Sequence, residues 1–263
     1  MRFALVALIV VLATVSQARA DDSVLNICAP NNSTVYFDNI SGVASPCATA
    51  PGTFVAQATY LQNASNVGGT TMAAYPMLAL RTGVVRDLAF VVNAPSEVAE
   101  TGQRGLDLYT PTRLGYGLRY TASETNRFAL AFTGEVLPAI SRFSPNQTQP
   151  KYALGFTSDY ALSPRFMIGF SSAGTSSGSV GFQRVLPSGA FTASYNASAF
   201  TAITTDLGTH ITARHSTAQS FGDLAIDQTV SKHLVLKLGL GTTFNPVGDT
   251  KAHYLASGVN YRM

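Results

Sequence analysis

Hydrophobicity with a period of two constrains this chain more than any other feature. Leu234, Leu236, Leu238 and Leu240 alternate with Val235, Lys237, Gly239 and Gly241. A strand sends successive side chains to opposite faces, so such a segment has one apolar face and one small or charged face. The stretch from Arg113 to Glu135 repeats the pattern as a hairpin. Leu114, Tyr116, Leu118 and Tyr120 alternate with Arg113, Gly115, Gly117 and Arg119. The turn formers Ser123-Glu124-Thr125-Asn126 follow, and Phe128, Leu130 and Phe132 then alternate with Ala129, Ala131, Thr133 and Glu135. A broad aromatic face backed by glycine and arginine suits a sheet that meets lipid outside and closes around a polar interior. A soluble sandwich is the competing reading of one hairpin, and repetition along the chain favours the barrel.

Composition narrows the choice. Charged residues make up 12% of the chain, about half of the ~25% usual for soluble domains. The hydrophobic fraction, 46%, is ordinary, so the apolar residues are arranged differently rather than added. Residues 1–20 read as an export signal: Arg2, an apolar run from Phe3 to Val15, and Ala18-Arg19-Ala20 before Asp21. Without them the chain carries 15 basic against 14 acidic side chains, which excludes a nucleic-acid surface. No later stretch approaches the ~20 apolar residues of a membrane helix.

Residues 21–52 read as an irregular periplasmic segment holding both cysteines, Cys28 and Cys47. An exported chain with two cysteines pairs them, and no histidine nearby supports a metal site. The segment reads as a tethered leader, with plugging or bracing of a lumen as its alternative. Residues 53–263 then form the barrel. Its fold class is all-β, an antiparallel up-and-down transmembrane barrel of twelve strands, with ten or fourteen as alternatives. Short turns are expected at 84–87, 123–126, 163–164, 187–189 and 231–232, with longer polar connections between them. The stretch 196–215 reads as one long external loop, or as a loop with an irregular strand from His210. The loop reading gives the even strand count that puts both ends on the periplasmic side.

The hairpins YPMLALRTGVVRDLAFVVN, YALGFTSDYALSPRFMIGF and DQTVSKHLVLKLGLGTTFN resemble the strand–turn–strand units of the outer-membrane barrels grouped as the MetA-pathway-of-phenol-degradation or transporter family. The resemblance covers most of Ala73 to Met263. It implies an outer-membrane barrel with a role in uptake of hydrophobic compounds, and it carries over no functional residue.

Projection of each strand puts Arg81, Arg113, Arg119, Glu135, Lys151, Asp159, Arg165, Asp223, Asp227, Lys237 and Arg262 on the inner face. Charges of both signs inside a barrel either select solutes or neutralise one another across strands. Arg81, Arg113 and Arg119 are the candidates for an anion preference. His215-Ser216 invites an outer-membrane lipid hydrolase, but nothing in the spacing supplies a group to orient the base or an oxyanion donor. No catalytic residue, metal ligand or cofactor is therefore assigned. The expectation is a channel or transporter of the Gram-negative outer membrane for passive passage of a small solute. Its partners would be outer-membrane lipid and that solute, without nucleic acid. The alternative is a plugged structural barrel whose loops 95–112, 137–149 and 196–215 meet surface partners.

Overall fold

The computed structural model describes residues 27–28, 38, 43–65, 71–94, 98–101, 115–138, 150–176, 185–211, 218–245 and 250–263. Thirteen strand segments run through them. The first six are β1 (Phe54–Ser65), β2 (Thr71–Val85), β3 (Leu88–Ala94), β4 (Val98–Thr101), β5 (Gly115–Glu124) and β6 (Phe128–Leu137). Then come β7 (Lys151–Ala161), β8 (Phe166–Ser176), β9 (Val185–Asn196) and β10 (Thr201–Ile211). The last three are β11 (Ala218–Ser231), β12 (Leu234–Asn245) and β13 (Thr250–Arg262). Each pairs antiparallel with its neighbour in sequence, except that β3 and β4 both pair with β2. β3 lies along Leu78–Val85 and β4 along Thr71–Ala74, so the two share one position in the wall. β1 pairs with both β13 and β2. The sheet is thereby a closed, twelve-position, up-and-down barrel, and closure removes the unpaired edges that lipid cannot satisfy.

Two expectations about the wall need correction. Pro187-Ser188-Gly189 is not a turn: it lies inside β9, where Pro187 sits opposite Gly174 and Gly189 opposite Ser172. Pro187 precedes the part of β9 that pairs with β10, which starts at Ser188, so its missing N–H interrupts only one ladder. The stretch 196–215 is not a single loop, because β10 fills Thr201–Ile211. Ile203 and Leu207 face outward there, while Ala202, Thr204 and Asp206 are buried. One strand fewer at 187–189 and one more at 201–211 leave the count of twelve unchanged.

The burial pattern is the reverse of a soluble protein's. On β12, Leu236, Leu238 and Leu240 are exposed by 43–61%, whereas Val235 and Lys237 are 3% and 5% exposed. The outward face continues through Tyr116, Leu118, Tyr120, Leu154, Phe191 and Leu224. Phe132, Phe156, Phe170 and Phe191 form a tilted aromatic row across β6 to β9, with successive ring centroids 6.5, 5.6 and 4.9 Å apart. Water would oppose so much exposed apolar surface, while lipid favours it. The connections at 86–87, 125–127, 162–165, 197–200 and 232–233 all fall at one rim. β1 starts and β13 ends at that rim, and Phe54 exchanges backbone hydrogen bonds with Met263.

Candidate functional site: the barrel interior

Alternation sets the interior. On β5, Arg119 and Thr121 turn inward because Tyr116, Leu118 and Tyr120 turn to lipid. The same logic buries Arg81 on β2, Asp223 and Asp227 on β11, and Lys237 on β12. Glu135 on β6, Lys151 and Asp159 on β7, and Arg262 on β13 are half-buried. Arg262 reaches the rim, where its guanidinium donates to the Lys232 carbonyl at 2.9 Å. Arg165 is exposed and belongs to the 162–165 turn, one residue before β8 begins. Arg113 and His215 lie outside the described residues. His233 holds the Arg262 carbonyl at 2.8 Å, and His253 is exposed.

Apart from Lys151 on β7, the inner charges separate by sign. Arg81, Arg119 and Lys237 belong to the arc of wall that runs from β12 through β13, β1, β2 and β3 to β5. Asp159, Asp206 and Asp223 belong to the remaining arc, on β7, β10 and β11. These three carboxylates occupy one cross-strand row: Asp159 faces Gly169, Gly169 faces Thr192, Thr192 faces Asp206, and Asp206 faces Asp223. The row continues to Gly241 and Tyr254. Thr192 donates its hydroxyl to Asp206 at 2.5 Å, and Tyr254 donates to Asp223 at 2.7 Å. Gly241 is required here: a Cβ at that position would lie 2.3 Å from the Tyr254 ring and 2.7 Å from Asp223 Cβ. Where the arcs meet, Lys237 pairs with Asp227 at 3.1 Å, with both side chains almost wholly buried.

The basic arc is occupied by the chain itself. Cys28 and Cys47 are joined in a disulfide, and the loop that it closes carries Asp38. Arg119 grips the Asp38 carboxylate with both terminal nitrogens, at 2.9 Å to Oδ1 and 3.3 Å to Oδ2. Arg81 donates to Oδ1 at 3.4 Å, and the Ser45 backbone N–H donates to the same oxygen at 2.6 Å. The Asp38 carbonyl accepts from Lys237 at 3.0 Å and from Gln57 at 3.2 Å. Burial alone would raise the Asp38 pKa. Arg119 first and Arg81 second outweigh it, and the carboxyl is held down from 3.8 to about 2. Arg119 also donates to the Ser45 carbonyl, and Thr121 to that of Pro46.

The backbone that follows packs down on the short-turn rim. Gly52 donates to the Gly83 carbonyl, and Gly83 donates to that of Thr53. Gly83 permits this approach, since a Cβ there would lie 2.2 Å from the Ala50 carbonyl oxygen. A cavity of about 670 Å³ lies between residues 48–51, the turn that holds Arg86 and the end of β5 at Glu124. Asp38, Gln57 and Asp206 were not among the residues projected inward from sequence. For Asp206 a signal existed, in the alternation of Ile203, Thr205 and Leu207 with Ala202, Thr204 and Asp206. Asp38 sits in an irregular segment where no period applies.

No protein-family model matches the sequence, and no curated protein matches it. Solved structures match the fold. The COG4313 outer-membrane channel from Pseudomonas putida F1 superposes with a TM-score of 0.59 at 12% identity, covering 82% of this chain and 97% of that one. The NanC porin superposes with a TM-score of 0.52 at 9% identity, covering 78% and 98%. The fold is that of a bacterial outer-membrane channel. It accounts for the apolar outside and the polar inside together. The resemblance to outer-membrane barrels holds at this level of architecture.

Proposed function

We propose that this chain is an outer-membrane channel for passive passage of a small solute. Residues 1–20 would be removed on export, and the short-turn rim, with residues 21–52, would face the periplasm. The observation that carries the reading is the pairing of a closed lipid-facing barrel with a lumen whose charges are polarised across its width. A barrel built only for stability has its inner charges cancel strand by strand, as Lys237 and Asp227 do. The Asp159–Asp206–Asp223 row instead gathers three carboxylates along one cross-strand line, with Asp206 and Asp223 directly opposite, which suits a path that water and solute share. Kinship with the MetA-pathway-of-phenol-degradation barrels belongs to this proposal, and with it hydrophobic compounds among the solutes. Transport would need no cofactor and no covalent chemistry.

A second reading has its own support. Residues 43–50 and Asp38 hold the inner wall through several hydrogen bonds, as a barrel plugged for a structural or surface-binding role would require. Twelve strands fall between barrels of about eight, which side chains fill, and those of 16–18, which hold open channels. Swelling of proteoliposomes in isotonic solutions of small solutes separates the two. Swelling that depends on folded protein and falls with solute size is the channel's result. A folded, inserted barrel that never swells the vesicles would leave the plugged reading standing.

A further inference from the structure

We propose that Arg81 and Arg119, with Lys237 beside them, form a binding site for the carboxylate of a small solute, and that Asp38 is a tethered stand-in which fills this site at rest and is displaced when solute arrives. The proposal rests on the channel reading and names the class of solute that the channel would take.

The geometry is that of a ligand in a site. Arg119 meets Asp38 end-on, with its two terminal nitrogens making N–H···O contacts of 2.9 and 3.3 Å. That arrangement recognises a planar carboxylate in preference to a spherical anion. Arg81 adds a second guanidinium to the same oxygen, and Lys237 adds an ammonium to the Asp38 carbonyl. Both arginine side chains are almost wholly buried, at 4% and 3% exposure, while the Asp38 side chain keeps 19%. The cations are therefore fixed in the wall, and their carboxylate is the more accessible member.

Asp38 is also the member that can leave. It belongs to no strand, and the disulfide holds it on a loop that closes 19 residues apart in sequence. The arginines sit on β2 and β5, each in register with its neighbouring strands. Loss of Asp38 without replacement would take the bidentate carboxylate away from the buried Arg119 and an acceptor away from Arg81, which is costly. A second carboxylate removes that cost, so solute entry and release of the segment are coupled by exchange. The chain keeps the site closed with the functional group that opens it. The acidic row on β7, β10 and β11 lies on the other arc, away from the arginines.

The test uses the full mature chain, refolded in detergent, with 4-fluorobenzoate as probe and its neutral methyl ester as control, each followed by fluorine NMR. Asp38→Asn keeps the side chain's shape and removes its charge. Binding of 4-fluorobenzoate should tighten at least ten-fold in Asp38→Asn, the ester should not change, and Asp38→Asn with Arg119→Gln should lose the gain. Equal affinity in wild type and Asp38→Asn would overturn the proposal, as would a gain shared by the ester or retained without Arg119. If Asp38→Asn does not fold, the unaltered chain supplies the test. Saturating 4-fluorobenzoate should speed proteolysis of residues 21–52 several-fold and the ester should not, and an unchanged rate would sink the idea. Vesicle swelling keeps the two claims apart. Swelling without carboxylate binding removes this site and leaves the channel, whereas binding without swelling supports the site and removes the channel.

Discussion

At the scale of single residues, the interior holds charges that alternation places and one that it does not. Lys237 and Asp227 were legible because both interrupt apolar alternation at inward positions. Their pair is buried on both sides, so loss of one partner strands the other. Lys237→Met should destabilise the barrel by about 3 kcal/mol. Lys237→Met with Asp227→Leu should recover most of that loss, as read from denaturant unfolding in lipid vesicles. Asp38 was not legible, because contacts across the lumen, rather than any local pattern, give it its role. Its pH dependence follows from its depressed pKa. The stabilisation by its ionised form is fully present above its ordinary value of 3.8 and is lost as pH falls through about 2. The 21–52 segment should therefore stay seated at pH 4 and release near pH 2, with about 2 kcal/mol lost. Pepsin cleavage of that segment should rise over this range in wild type, relative to an Asp38→Asn chain in which the rise is absent.

At the scale of elements, eleven of the twelve wall positions were readable, and the exception is instructive. β10 is rich in threonine, and its outward residues are Ile203, Thr205 and Leu207, a weaker apolar face than the leucines of β12. Its polar composition reads as loop, although the period of two is intact. The opposite error arose at Pro187-Ser188-Gly189, where turn-forming residues lie within a strand. There the pairing on either side, with β8 and β10, outweighs local turn preference. The reassignment can be tested on β10. Leu207 is 61% exposed on the outer face, so Leu207→Arg should cost about 2–4 kcal/mol if it sits near the bilayer midplane. Thr209→Arg, closer to the rim, should cost less. Equal and negligible effects on unfolding would return residues 201–211 to a loop outside the membrane.

At the scale of the whole molecule, the barrel and its occupant answer one physical problem. A closed wall of twelve strands can turn its apolar side chains to lipid only by collecting its polar ones inside. Those polar groups need water, partners or both. On one arc the chain supplies the partner from its own disulfide-closed loop, and on the other the carboxylates stand together. The fold was legible in sequence because strand period and turn spacing are local. The division of charge between two arcs was not, because it depends on which strands become neighbours when the sheet closes. The most direct measurement of the central claim is ion current through the refolded mature protein in a planar bilayer, after heat-dependent gel mobility has established the folded barrel. Wild type should give discrete, steady current steps that become larger in Asp38→Asn. A folded barrel that inserts and carries no current in either form would contradict that claim.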